Sequence, residues 1–579
     1  MSSEFQVSGN NPAALFTLKL HRGDGMALVA MNWKDGEPPK DFVGFAIEHK
    51  EPGSDRFKSV RNRLAFPMPD GAINSTTLSS RLSPIQKFRW VHFPFNAELD
   101  GDFIYKVTPV FMDDSDVLSY GEPQEAAIQL RRETYPKQLN VTFTRGFVSS
   151  QAFVDNWGAD AIPSLLPPKA DEGLDFVPNH AKADEALKWM GFEARSAILE
   201  VLDEAIEDES AKVRAVLYDL NEPGIVSRLE KLGDRLKIII DDDGPHGKPE
   251  SGETRAAARL VESAGKDNVK RQHMGKLQHN KTIVVDGNVQ AAVCGSTNHS
   301  WRGFFVQNNN AIVVRGEKPV KVFMEAFKHY WNHDESPFAD SGSANWQDLG
   351  LDGIDAKIGF SPRSTANGVL QTIADDIAAT ESSLFFSLAF LYQTPGAIQD
   401  AVKKVQADDT VFCYGVSDRQ VKGFAEFEEP ESEGIDLLKP DGSVIVVNPA
   451  ALTKENTPEP FKSEPTGGGG ARMHHKFVVI DFDKPTARVY MGSYNFSKAA
   501  DLSNGENLLL IRDQRVAVSY TVEALRIFDH CEFRLAQANA ETAQETLQLK
   551  KSPRQPGEQA WWVKDYTDRR RIRDRELFA

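Results

Sequence analysis

Cysteine is scarce in this chain: its 579 residues include only three, Cys294, Cys413 and Cys531. An odd and sparse set does not supply a disulfide framework. No apolar run approaches the roughly 18 residues that a membrane-spanning helix needs, and the N-terminus lacks the basic and apolar segments of a signal peptide. We therefore expect a soluble, cytoplasmic protein, with export by a route without a cleaved signal left open.

Excess positive charge is also missing, since the formal net charge is −17 and the sequence pI is about 5.4. This balance argues against a broad basic face for nucleic acid or anionic lipid, but it leaves room for a locally positive cleft. No histidines or cysteines have the spacing of a zinc site, and no Walker-type glycine loop is present. The sequence predicts no metal and no cofactor.

One pattern occurs twice, as His-x-Lys, four residues, Asp, and then Gly-Ser-x-Asn after an apolar strand. The two copies provide His279, Lys281, Asp286, Ser296 and Asn298, and then His474, Lys476, Asp481, Ser493 and Asn495. Alternate residues of a strand point to the same face, so the histidine and lysine of each copy share one face and His475 faces away. The lysine can hold an anionic phosphoryl oxygen while the imidazole attacks or donates a proton. Two copies therefore suit a phosphodiester, with one histidine as nucleophile and the other as acid.

This repeated motif resembles the signature of the phospholipase D superfamily, and the resemblance covers roughly residues 138–550. It implies two similar lobes related by a pseudo-twofold axis, with one motif from each lobe in a shared active site. It also implies a covalent phosphohistidine intermediate, and a monomer is sufficient for such a site. Members of the superfamily cleave phospholipids, DNA or RNA, and some transfer phosphatidyl groups.

The order of predicted elements indicates an α/β protein with an all-β domain in front. Residues 1–137 alternate apolar and polar residues between Pro, Gly and Asp turns, which predicts a β-sandwich that weakly resembles fibronectin type III; its partner is unknown. Residues 138–349 and 350–550 alternate strands and helices, which predicts two lobes with mostly parallel sheets flanked by helices. A basic, aromatic tail, 551–579, is expected to pack on its own domain, with phosphate contact as the alternative.

A long loop rich in Glu, Pro, Lys and Gly precedes the second motif and ends in Gly467–Gly470. Long irregular loops beside active sites are often lids or specificity elements. A surface insertion is an equally good interpretation, and the sequence does not decide between the two.

The remaining motif residues are expected to support the four histidines and lysines. Asn298 and Asn495 suit substrate contacts, and Ser296 and Ser493 suit either substrate or the turn. Asp286 and Asp481 lie far along their strands and are interpreted as structural. Glu506 can orient an imidazole, as carboxylates do in catalytic triads. Asn507 stands opposite Asn310 in the aligned copies, and Glu506 stands opposite Asn309; no role is assigned to His246 or His273.

The identity of the nucleophile stays open at this point. Relatives with two motifs usually carry it on the first copy, which favours His279, whereas the nearby Glu506 carboxylate argues for His474. We favour His279.

The substrate also stays open. We favour cleavage of phospholipid head groups. The alternative is a metal-independent endonuclease for DNA or RNA, because GSYNFSKAADLSNGENLLL is similar to the compact bacterial endonucleases of this superfamily. A remote alternative is an inactive binding scaffold.

Overall fold

The computed structural model describes a chain that divides into two compact units, Met1–Arg132 with Val518–Ala579, and Glu133–Ala517. The residues described are 4–68, 78–94, 96–130, 133–146, 153, 156–158, 161–418, 421, 435–439, 444–447, 473–542, 544 and 547–579.

The N-terminal part of the first unit consists of two antiparallel sheets. One has the order β1-β2-β3-β6 and the other β5-β4-β7-β8, with β9 also paired to β7. Alternating residues of both sheets enter one core, which includes Phe16 and Leu18 from one sheet and Phe45 and Phe103 from the other. The strands are β1 Gln6–Ser8, β2 Phe16–Arg22, β3 Ala27–Trp33, β4 Phe42–Lys50, β5 Lys58–Ser59, β6 Arg89–His92, β7 Asp102–Met112, β8 Leu118–Tyr120 and β9 Gln124–Gln129.

The second unit holds two sheets, and we call residues 138–349 the first lobe and 350–517 the second lobe. First-lobe elements are β10 Leu139–Phe143, α1 Ile162–Leu165, α2 Ala183–Glu207, β11 Lys212–Leu217, α3 Pro223–Lys231, β12 Leu236–Ile240, α4 Gly252–Ala264, β13 Val269–Arg271, β14 Lys281–Asp286, β15 Gln290–Gly295, α5 Trp301–Phe305, β16 Asn310–Arg315, α6 Glu317–Trp331 and β17 Gln347–Asp348. Second-lobe elements are β18 Asp355–Ser361, α7 Leu370–Ala378, β19 Ser383–Leu388, α8 Ala397–Ala407, β20 Phe412–Ser417, β21 Ile435–Leu438, β22 Val444–Val447, β23 Lys476–Ile480, β24 Arg488–Gly492, α9 Lys498–Leu502 and β25 Glu506–Arg512.

The strand orders of the two sheets correspond: β10-β16-β15-β14-β11-β12-β13, and β17-β18-β25-β24-β23-β19-β20-β21-β22. Their mixed α/β character agrees with the sequence, but the prediction of mostly parallel sheets was wrong. Parallel pairing joins β11 to β12, β12 to β13 and β19 to β20, and the other described pairs are antiparallel. The reason is the connection length: strands joined by tight turns, such as β14 and β15, must pair antiparallel, whereas a parallel pair needs a helical crossover.

The C-terminal residues belong to the first compact unit, not to the second lobe or to a separate tail. After α10 Gln514–Thr542 come α11 Val563–Thr567 and α12 Arg569–Phe578. Trp562 and Ala560 join the core of the two N-terminal sheets, and the Phe578 carbonyl lies 2.6 Å from Nε2 of His21. These apolar residues of the tail are thus buried against the N-terminal strands.

Among the described helices, no segment combines the length and the apolar character that a membrane crossing requires.

Candidate active site

The two histidines of the repeated motif face one another at the contact between the lobes. Their ring centroids are 6.5 Å apart, and both side chains are buried. Each lies just before a strand that begins at the motif lysine, Lys281 for β14 and Lys476 for β23. The neighbouring strand secures each approach, because Tyr218 N donates to the Asn280 carbonyl and Ala389 N donates to the His475 carbonyl.

Each histidine is oriented by a side chain from the other lobe. His279 Nδ1 lies 2.7 Å from Glu506 Oε2, and His474 Nδ1 lies 2.8 Å from Asn309 Oδ1. A carboxylate oxygen only accepts a hydrogen bond, so Nδ1 of His279 carries the hydrogen. The Asn309 amide is fixed by its Nδ2, which donates to the Gly303 carbonyl, so its oxygen likewise accepts from His474. Both histidines therefore keep Nε2 for the substrate.

The Glu506 carboxylate is fully buried and fixed by three donors. Ser493 Oγ donates to Oε2 at 2.6 Å, Asn504 Nδ2 donates to Oε1 at 3.1 Å, and His279 completes the set. The corresponding Ser296 Oγ donates to Asn309 Oδ1 at 3.0 Å. The two serines thus hold the orienting residues, although the sequence had suggested substrate or turn contacts for them.

The glycine before the serine of each motif lets its backbone pack closely against the neighbouring strand. Gly295 and Gly492 have φ values of 128° and 145°, a region that L side chains rarely adopt. A Cβ would lie 2.6 Å from the Asn310 carbonyl oxygen in the first lobe and 2.3 Å from that of Asn507 in the second. A glycine is therefore required at each position.

Asn310 and Asn507 support the turns rather than the cleft. Ser296 N donates to Asn310 Oδ1 at 3.1 Å. Asn507 also crosses between lobes, since its Nδ2 donates to Asn280 Oδ1 at 3.1 Å. Two backbone hydrogen bonds also join the lobes: His474 N donates to the Asn308 carbonyl, and Gly505 N donates to the Leu277 carbonyl.

The lysines place buried positive charge beside the histidines. Lys281 Nζ and Lys476 Nζ each donate to the backbone carbonyl of the histidine in their own motif. Burial lowers the pKa of Lys281 to about 7, against the opposing effect of the Glu506, Asp219 and Asp241 charges. Burial also lowers the pKa of His279 to about 4, partly offset by Glu506. The pKa of His474 falls well below its usual value through burial and then through the charges of Lys476 and Lys281.

Asn298 and Asn495 each have a buried side-chain oxygen that lacks a hydrogen-bond partner. Asp481 and Asp286 lie at the far ends of their strands. Asp481 Oδ1 accepts from Ser382 N at 2.7 Å and so fixes the start of β19. The negative charge of Asp286 partly offsets the burial that lowers the pKa of Arg214.

A family model and several known proteins match parts of this chain. The family described as "Cardiolipin synthase, PLD-like domain" matches residues 205–331 and 441–528, two segments that each contain one copy of the motif. Phospholipase D from Rickettsia typhi is 49% identical over 47 residues, which cover 8% of this chain and 21% of that protein. The match thus spans about a fifth of the curated relative's length.

Both motif segments of this chain are similar to the phospholipase D superfamily.

Two solved structures that are similar to this chain overlap it only partly. The family member Nuc from Salmonella typhimurium is 25% identical, covers 24% of this chain and 87% of its own, and has a TM-score of 0.20. Phosphatidylserine synthase from Haemophilus influenzae is 12% identical, covers 58% and 84%, and has a TM-score of 0.39. These scores are too low to define a common overall arrangement.

Several residues of this phospholipase D-like site have no counterpart in the sequence-based set. The Tyr218 ring lies 4.7 Å from His279, 4.5 Å from His246 and 4.6 Å from Lys281 Nζ. The Phe390 ring lies 5.9 Å from the His474 ring. The strand register could have located both, because each follows the strand that pairs with the His-x-Lys strand.

The other histidines near the motifs differ in their surroundings. His475 packs against Phe143 and Phe477, away from the cleft. His246 Nδ1 lies 2.9 Å from Asp241 Oδ2, and its ring lies 4.5 Å from that of Tyr218. His273 is half-exposed and pairs with Asp242 at 2.8 Å. The loop that ends in Gly467–Gly470 lies almost entirely outside the described residues.

Proposed function

We propose that this protein is a phosphodiesterase that cleaves phospholipid head groups through a covalent phosphohistidine. One observation carries the proposal: two buried histidines face each other at 6.5 Å, each anchored at Nδ1 from the opposite lobe. A phosphoryl group between them meets one Nε2 on each side, as an in-line displacement requires.

The reaction then has two steps. In the first, Nε2 of one histidine attacks phosphorus and the P–O ester bond breaks, while the leaving oxygen takes a proton from the other histidine as imidazolium. In the second, that histidine accepts a proton from water, the water oxygen bonds to phosphorus, and the P–N bond breaks. An acceptor alcohol in place of water gives transfer instead of hydrolysis. Because His474 has a low pKa without substrate, the phosphodiester anion is what favours its imidazolium.

We assign the nucleophile to His279 and the acid to His474. As Nε2 bonds to phosphorus, positive charge develops on the ring, and a carboxylate at Nδ1 stabilises that charge better than an amide does. The carboxylate is Glu506, and its partner is His279, not the sequence-adjacent His474. From its place in the sequence Glu506 favoured His474, but its contact with His279 supports the residue that the family pattern favours.

The two lysines support charge neutralisation without a metal. Lys281 and Lys476 supply cationic donors for the phosphoryl oxygens. We propose that activity needs no divalent cation, and that the matched lobes form one site on a pseudo-twofold axis within one chain.

A nuclease is the second candidate, favoured by the similarity of GSYNFSKAADLSNGENLLL to compact endonucleases. Against it stands the net charge of −17, which gives no broad footprint for nucleic acid. The fibronectin type III-like character of the N-terminal sheets stays a proposal without an assigned partner.

A side-by-side assay in EDTA tests these proposals. Wild type, His279→Ala and the matched control His273→Ala receive mixed-headgroup liposomes, single- and double-stranded DNA, and RNA. We expect released head group with intact nucleic acid for wild type and the control, and none for His279→Ala. Cut nucleic acid with untouched lipid would establish the nuclease, and loss of wild-type activity in EDTA would contradict the metal-free mechanism. A His279→Ala, His474→Ala double variant that kept full function would indicate a scaffold.

A further inference from the structure

The two lobes differ at the fourth position after the motif asparagine, where Arg302 in the first lobe corresponds to Ala499 in the second. The backbones around both positions match. Ser300 caps α5 by accepting from Gly303 N, and Ser497 caps α9 by accepting from Ala500 N. The difference therefore lies in the side chain, and it gives the first lobe an additional cation.

The Arg302 guanidinium is held by Asp219, the neighbour in sequence of the Tyr218 that contacts His279. Its Nη2 lies 3.3 Å from Asp219 Oδ2, which also accepts from Ser300 Oγ at 2.8 Å. Asp219 directly follows Tyr218, whose ring contacts His279 and lies under Lys281 Nζ. The aspartate that positions the guanidinium is thus adjacent in sequence to the tyrosine that contacts His279.

The second lobe lacks this anchor as well as the cation. Leu217 pairs with Lys281 and Leu388 pairs with Lys476, which fixes the correspondence between the two strands. Two residues further on, Asp219 in the first lobe corresponds to Phe390 in the second. Arg302 and Asp219 contact each other in the first lobe, and other residues occupy both corresponding positions in the second lobe.

The charge of Arg302 reaches both halves of the site. Burial is the main cause of the low pKa of Lys281, and Arg302 adds to it. Burial is also the main cause for His474, followed by Lys476, Lys281, His279 and then Arg302. Because Lys281 and His474 belong to opposite lobes, the charge of Arg302 acts on a group of the site in each lobe.

We propose that Arg302 is a third cationic ligand of the substrate phosphoryl group and, being on the first lobe alone, draws that group towards His279. This rests on the proposed phosphodiesterase function and deepens it. A guanidinium offers paired N–H donors to two phosphate oxygens, which a lysine cannot match in geometry. Asp219 is the positioning residue that aims it.

Anion binding tests the proposal without turnover. Sulfate, a tetrahedral anion, is titrated by calorimetry into full-length wild type, Arg302→Ala, Arg302→Lys and Asp219→Asn. The control is Arg228→Ala, which removes another arginine–aspartate pair of the same lobe, at 2.7 Å from Asp203. We expect about tenfold weaker binding for Arg302→Ala, partial recovery with lysine, and wild-type affinity for the control.

Turnover of a soluble aryl phosphodiester separates this inference from the function on which it rests. We expect Arg302→Ala to lower kcat/KM by about 10²-fold at an unchanged unfolding midpoint, as for loss of one transition-state donor. Equal sulfate affinity in wild type and Arg302→Ala, or no sulfate binding by wild type, would overturn the role of Arg302. Sulfate binding that depends on Arg302, in a protein that cleaves no phosphodiester, would instead overturn the proposed function and keep Arg302 as an anion ligand.

Discussion

At the scale of single residues, each motif histidine is oriented by a side chain from the other lobe. His279 of the first lobe depends on Glu506 of the second, and His474 of the second depends on Asn309 of the first. One of these contacts is with a carboxylate and the other is with an amide, so the two histidines of the same motif have different electrostatic surroundings. Neither lobe therefore supplies both a motif histidine and the side chain that orients it.

Replacing Glu506 by Gln keeps the shape of the side chain but removes the charge that faces His279. Loss of the matching carboxylate in a catalytic triad costs about 10⁴-fold in kcat, so we expect a fall of about 10²–10⁴-fold here. Steady-state kinetics on a soluble phosphodiester measures it. Asn309→Ala serves as the comparison and should cost less, because a neutral acceptor is lost; equal losses would contradict the different roles of the two histidines.

The pKa of Lys281, lowered mainly by burial to about 7, predicts how anion binding depends on pH. The charged form binds the anion, so affinity is retained below pH 7 and lost as the pH rises through 7. Sulfate affinity should fall about tenfold between pH 6 and pH 8, in proportion to the charged fraction. Calorimetry at both values tests this, with Lys281→Arg expected to remove the dependence. A flat wild-type profile would count against a buried lysine as the anion ligand.

The repeated motif predicted which side chains meet at the site, because His-x-Lys on a strand fixes a common face. It did not predict the partner of Glu506. In the sequence this residue follows the second motif, and its contact with His279 depends on how two lobes dock. Tyr218 and Arg302 were missed for the same reason, since neither belongs to the repeated pattern.

At the scale of elements, the position of each His-x-Lys strand is set by its neighbours. Asp481, at the end of β23, has a φ of 53° and accepts backbone hydrogen bonds from Ser382 at 2.7 Å and Glu381 at 3.0 Å. It thus fixes the start of β19, which pairs with the strand that carries Lys476. The order of strands and helices could be predicted from the sequence, but the pairing direction depended on turn lengths that the alternation does not reveal.

Asp481→Ala should therefore destabilise the protein without a direct effect on catalysis. Loss of the acceptor leaves buried N–H groups unpaired, and we expect a decrease of about 1–3 kcal/mol in the free energy of unfolding. Urea unfolding measures the change. Asp286→Ala, at the matching but half-buried position, is the control and should cost less than about 1 kcal/mol. Equal costs would refute the capping role of Asp481.

At the scale of the whole molecule, the chain has two compact units, each with its own core. The residues of the candidate active site lie in Glu133–Ala517, and residues from both ends of the chain contribute to the other unit. The sequence predicted the β-rich N-terminal part from its alternation. It did not predict that C-terminal residues complete that core, because a long-range return of the chain leaves no local pattern.

Trp562→Ala tests this return of the chain. Trp562 is 5% exposed within the sandwich core, and truncation of a buried tryptophan typically costs about 3–5 kcal/mol. We expect an earlier unfolding transition for the unit that contains it, with sulfate affinity unchanged. Val117→Ala, at a position that is 60% exposed in the same unit, should have almost no effect. A Trp562→Ala protein as stable as this control would contradict the packing.

The most direct test of the account is to locate the covalent intermediate. The protein is mixed with a ³²P-labelled phospholipid, quenched in alkali to preserve phosphohistidine, digested and mapped by mass spectrometry. We predict label on His279 in wild type, more label in His474→Ala as breakdown slows, and none in His279→Ala. Label on His474 in the wild-type protein would contradict the assignment of the nucleophile and, with it, the role given to Glu506.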